Sequence, residues 1–119
     1  MPDRYLTPEE IADYKLVTPL LENLHSEMSE LSRKKQDGAL NKLKIRHINR
    51  ILVKVEAILG DDPSVVYLEK LDEDDVPQNS DAVVVLGQWR AAMKQFQSKH
   101  TTTRSGTMYW KRGNADEAK

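Results

Sequence analysis

The side chains best equipped for chemistry in this chain are cations in two short runs. Arg33, Lys34 and Lys35 come first; Lys42, Lys44, Arg46 and Arg50, with His47 among them, follow a Gln36-Asp37-Gly38 break. Such a set of donors suits phosphate oxygens, so nucleic acid is one ligand class it would serve. Bases that close a helix also answer the negative end of its dipole, which is a purely structural use. Those that open the following helix gain nothing that way. A second cluster, Tyr109-Trp110-Lys111-Arg112, joins two aromatics to two bases. That composition suits a docking anchor or a stacking platform for unpaired bases, and equally a tryptophan that folds back onto its own domain.

The acids and histidines assemble into nothing as complete. Glu22-Asn23-Leu24-His25 has the carboxylate–imidazole spacing of di-iron helical bundles, but the matching stretch before His47 places Lys44 where the second glutamate belongs. Glu27-x-x-Glu30 and Glu69-x-x-Asp72 resemble the paired carboxylates with which MazG-like nucleotide pyrophosphohydrolases hold magnesium. The stretch between them, with its proline-marked breaks and a whole intervening helix, exceeds that family's pattern. No arginine precedes a histidine at the spacing of HEPN-type ribonucleases, and Asp72 to Asp75 lack the glycine and terminal glutamate of a calcium loop. The expectation is therefore no catalytic, cofactor-binding or metal-ligating residues. A metal-dependent nucleotide pyrophosphohydrolase is the remote enzymatic alternative.

The elements that must carry these residues are written in two apolar stripes. Tyr14, Val17, Leu21, Leu24, Met28 and Leu31 alternate three and four apart, as do Ile45, Ile48, Leu52, Val55 and Leu59. Paired antiparallel, Leu31 meets Ile45, Leu24 meets Leu52 and Val17 meets Leu59, every pair symmetric about Gly38. The pattern predicts a helical hairpin with Thr7-Pro8-Glu9-Glu10 as its start and Gly60 to Pro63 as its end. Pro19 predicts a kink near Tyr14 to Thr18. The hairpin brings the basic runs to one tip. Ile51 and Ile58 widen the second stripe, and a third helix over 81–99, with Ala82, Leu86, Trp89, Met93 and Phe96, is expected to cover that flank. Between them, 63–71 could form a short helix before an acidic loop.

The fold expected is all-α: an antiparallel hairpin plus a third long helix, a three- to four-helix bundle over 1–100, with a basic aromatic tail over 101–119. Of the 119 residues 39% are hydrophobic, and mean hydropathy is -0.65, so a core this small invites completion by another chain. Leu16, Leu20 and Trp89 are the expected contributors to self-association. Net charge is -1, yet residues 33–54 hold eight bases against Asp37, and 55–81 hold nine acids against Lys70. These blocks can neutralise each other within the fold or leave a basic surface for an acidic partner. Zero cysteines exclude disulfides. Neither an apolar run after Met1-Pro2-Asp3-Arg4 nor a stretch of roughly 20 apolar residues is present, so a cytoplasmic setting without membrane contact is expected. The functional expectation is a small non-enzymatic interaction module, acting as homo-oligomer or accessory subunit with a protein partner. Its alternative is a nucleic-acid-associated protein using the hairpin tip and the tail.

Overall fold

The computed structural model describes residues 5–112 and 115–118. Helix α1 runs Pro8–Lys34 and α2 runs Lys42–Leu59, joined by a seven-residue connection. A 3₁₀ turn at Pro63–Tyr67 and another at Glu73–Asp75 lead to α3, Asn79–His100. Strands β1 (Thr101–Arg104), β2 (Thr107–Arg112) and β3 (Ala115–Ala118) follow, antiparallel and in that order. Among the described residues no helix is long and apolar enough to cross a membrane.

The start of α1 is the capping box written in its sequence. The Thr7 hydroxyl accepts from the Glu10 amide at 3.1 Å, and the Glu10 carboxylate accepts from the Thr7 amide at 3.0 Å. Pro19 does not end the helix, which stays continuous across it. Helix α2 starts at Lys42, three residues ahead of the first stripe residue Ile45, because Asn41 caps it by accepting from the Lys44 amide at 2.7 Å. Gly60 closes α2 at φ +60, a conformation in which a Cβ would be strained. In α3, Asp81 sits at the third position, where its carboxylate accepts from the Gln78 amide at 2.8 Å. The strand-prone Val83, Val84 and Val85 are helical here.

Both stripes are buried in one cluster, with Leu21, Leu24, Met28, Ile45, Ile48, Leu52, Val55 and Leu59 nearly inaccessible. Leu31 departs from the expectation: in the last turn of α1, beside the connection, it is 40% exposed. The third helix does not cover the Ile51 flank. It packs most extensively on α1, with fewer contacts to α2. Its N-terminus also clamps the connection: the Asn79 side chain donates to the Lys35 carbonyl at 2.9 Å, and the Asn79 amide to the Gly38 carbonyl at 2.8 Å. Ser80 adds a bond to Gln36 at 3.1 Å. A Cβ at Gly38 would stand 2.8 Å from the Asn79 side-chain nitrogen, so that side chain would have to shift and strain its bond to the Lys35 carbonyl. At Gly87 the nearest contact would be 3.7 Å, an ordinary distance.

The all-α expectation is corrected at its C-terminal end. Residues expected as a basic aromatic tail form a β-hairpin, Thr101 opposite Trp110 and Arg104 opposite Thr107, around Ser105 and Gly106 at positive φ. That two-residue turn matches the twist of the flanking strands. Trp110 lies fully buried, edge-on to Tyr14 at 4.8 Å between ring centroids. An indole has too much apolar surface to leave in water when a helix face is within reach.

Candidate functional site

The fold treats the basic residues unequally. Arg33 pairs with Glu30 at 3.0 Å along α1, and Lys44 pairs with Glu27 across the hairpin. Arg46 grips both carboxylate oxygens of Glu73, at 3.1 and 3.2 Å, so part of the acidic block neutralises part of the basic one. Lys70–Glu56 at 2.8 Å pairs charges within the acidic block, and Lys99 at the end of α3 pairs with Asp62 at 3.0 Å. Lys34, Lys35, Lys42 and Arg50 have no ion-pair partner among the described residues. An open depression of about 570 Å³ lies along this part of α2, lined by Asn41, Leu43, Lys44, Arg46, His47 and Arg50.

Arg50 also borders a second depression, of about 400 Å³, between α1 and α2. Its floor is apolar: Leu16, Val17 and Leu20 from α1, with Ile51, Ala57 and Ile58 from α2. Asp13 stands on the α1 rim and Lys54 on the α2 rim. Helical periodicity explains why it is open. Leu16 and Leu20 lie roughly opposite Thr18 and Glu22 around the α1 axis, and Glu22 faces α3. With α3 on that other flank, Leu16 is 71% exposed and Leu20 50%. Outside this depression, Leu31 on α1 is 40% exposed, and Leu43 on α2, which lines the first depression, is 77% exposed. Sequence reasoning singled out Leu16 and Leu20 but left Leu43 and Lys54 unremarked. Their spacing with His47 and Arg50, at 43, 47, 50 and 54, marks one face of α2.

Trp89, expected at this surface, is a core residue instead. Its indole nitrogen donates to the Glu69 carbonyl at 2.7 Å, with the Lys70 ammonium 6.0 Å from the ring. The 62–72 segment wraps over α3 and supplies that acceptor; Leu71 is buried with it, and Asn49 holds the Leu71 backbone through bonds of 2.7 and 3.0 Å. In the C-terminal cluster Trp110 is committed to the bundle, while Tyr109 and Lys111 are half-buried. The Arg112 side chain lies outside the described residues.

Glu22 and His25 meet a cation rather than a metal. Arg90 donates to the Glu22 carboxylate at 2.7 and 2.9 Å, and its guanidinium comes within 3.4 Å of the His25 Nδ1. The hydrogen bond from Arg90 holds the Glu22 carboxyl below its ordinary range. Burial, aided by the Arg90 charge, pushes the His25 imidazole down against the opposing pull of Glu22. Glu27 and Glu30 are each taken by a base, and Asp72 accepts from the Asp74 amide at 2.9 Å. Among the described residues no three His, Cys, Asp or Glu side chains gather as a metal would require.

The depressed histidine has a measurable consequence. The unfolded chain takes up the His25 proton at higher pH than the folded one, so this contribution to stability is present above about pH 6.5 and lost as pH falls below it. Glu22 acts in the same direction at lower pH. Urea midpoints measured at about pH 7.5 and pH 5.5 should fall on acidification, and should fall less in His25→Gln. Equal losses in the two proteins would remove His25 as the cause.

The chain matches no family model, no curated protein and no solved structure.

Proposed function

We propose that this chain is a small non-enzymatic interaction module that docks protein through the open α1/α2 face, as a homo-oligomer or as an accessory subunit of a larger assembly. One observation carries the reading. Leu16 and Leu20 stand exposed over a depression between α1 and α2 that has an apolar floor and Asp13, Arg50 and Lys54 on its rims. Isolated exposed leucines are ordinary, but a contiguous apolar strip with a polar border is the anatomy of an interface. Site-specific photocrosslinking from position 20, in the cells that make the protein, tests it. Adducts to protein are expected from position 20 and not from position 84, where Val84 is exposed on α3. Absence of adducts at position 20 overturns the reading.

A second reading, nucleic-acid association, is favoured by Lys34, Lys35, Lys42 and Arg50 having no ion-pair partner among the described residues. Binding to mixed DNA and RNA that weakens steeply with salt supports it. Replacing Lys42, Lys44, Arg46 and Arg50 with glutamine would then abolish binding. Against it stands the loss of Trp110 to the core, which removes the best stacking group.

A further inference from the structure

Resting on the nucleic-acid reading above, we infer that the outer ridge of α2 holds the backbone of a single nucleic-acid strand, with Lys42, Arg46, Arg50 and Lys54 each meeting a phosphate. These four cations recur every fourth residue, so they form one continuous ridge on the helix surface. The helical rise sets successive members about 6 Å apart along about 18 Å of axis. That interval is close to the one between neighbouring phosphates of a sugar-phosphate backbone. The one acid in α2, Glu56, is paired with Lys70. Lys42 also stands in the first turn, where a cation opposes the helix dipole, and no acid accompanies it there.

Lys42, Arg50 and Lys54 have no ion-pair partner among the described residues. Arg46 is engaged, through its fork on both oxygens of Glu73. That pair lies at the surface, where an ion pair holds weakly, and a phosphate offers the same guanidinium the same two oxygens. Glu73 therefore acts as a built-in competitor for the strand. A flexible single strand can lie along a straight helix, whereas a duplex backbone winds away from it after a few phosphates. Helix α2 contains no Phe, Tyr or Trp, so the ridge reads charge and not base identity. Its apolar stripe is buried in the core, which leaves the helix without the apolar face that a bilayer surface takes up.

Fluorescence anisotropy with a labelled single-stranded oligonucleotide of mixed sequence, titrated in rising salt, tests the proposal. The affinity of the unaltered chain should fall with a log–log slope of about −3, the value for about four phosphates on a single strand. Lys42→Gln, Arg50→Gln and Lys54→Gln should each make that slope shallower by about 0.7, with helical circular dichroism preserved. Lys15→Gln, on α1, should leave it unchanged. Glu73→Gln should tighten binding several-fold. Asp75→Asn should do so less, because it removes the same charge from the same turn without freeing Arg46. A duplex of the same sequence should bind more weakly. Ridge variants with the slope of Lys15→Gln, a Glu73→Gln variant no tighter than Asp75→Asn, or a tighter duplex would each overturn the proposal, while oligonucleotide binding would leave the nucleic-acid reading standing. An unaltered chain that ignores the oligonucleotide at low salt would reject both. Binding to phosphatidylserine vesicles in that case would assign the ridge to a membrane surface instead.

Discussion

Replacing Trp110 with alanine is expected to destabilise the fold by about 3–5 kcal/mol, in the range for a large buried aromatic. The indole is fully buried and meets Tyr14 edge-on at 4.8 Å, so truncation leaves a cavity at the seam between the β-hairpin and α1. A phenylalanine scan adds resolution. The Trp110 indole nitrogen is buried without a hydrogen-bond partner among the described residues, so Trp110→Phe removes a group with no acceptor there. Trp89→Phe breaks a 2.7 Å bond to the Glu69 carbonyl. Both changes lose similar volume, so Trp89→Phe should cost more, by about 1 kcal/mol, the usual net worth of such a bond. Urea denaturation of the three variants measures this. If Trp110→Ala left stability unchanged, Trp110 would not belong to the core.

The second large effect belongs to the hairpin. Leu24 and Leu52 are both nearly inaccessible, and the register expected from the sequence, symmetric about Gly38, sets them opposite one another. Leu24→Ala and Leu52→Ala should each cost about 2–5 kcal/mol. Their double variant should cost less than the two losses added, because side chains in contact share one cavity. Strict additivity in denaturant titrations would mean that they do not touch, and the register would have to shift.

Why some of this architecture could be read from the sequence, and some could not, has a physical explanation. The stripes from Tyr14 to Leu59 were legible because a helix face buried on both partners must repeat every three or four residues. The cap at Thr7 and the stop at Gly60 were legible because they satisfy backbone groups locally. The cap at Asn41 is less legible, because Ala39 and Leu40 before it are also good helix formers and the stripe does not begin until Ile45. The β-hairpin was missed for a different reason. Thr101 to Thr103 are β-prone and Ser105-Gly106 is a turn pair, but mostly polar strands offer little apolar alternation, and among their described side chains only Trp110 is fully buried.

The candidate face was only half legible. Leu16 and Leu20 stood off the main stripe, which flagged them as uncovered. Which flank α3 would take is a tertiary choice that periodicity does not encode. It is settled here by contacts distant in sequence: Arg90 on Glu22, Asn79 on Lys35, and the 62–72 segment over Trp89. Trp89 was misplaced because its acceptor lies 20 residues away.

The most direct test of the central claim, that the α1/α2 face is covered by protein when the chain works, uses the absence of cysteine. Single Leu20→Cys and Val84→Cys variants would be alkylated in intact cells and as dilute purified protein. In dilution both thiols should react readily, since both positions are exposed in the monomer. In cells the thiol at position 20 should react at least several-fold more slowly than the one at position 84. Equal reactivity at the two positions in cells would contradict the account.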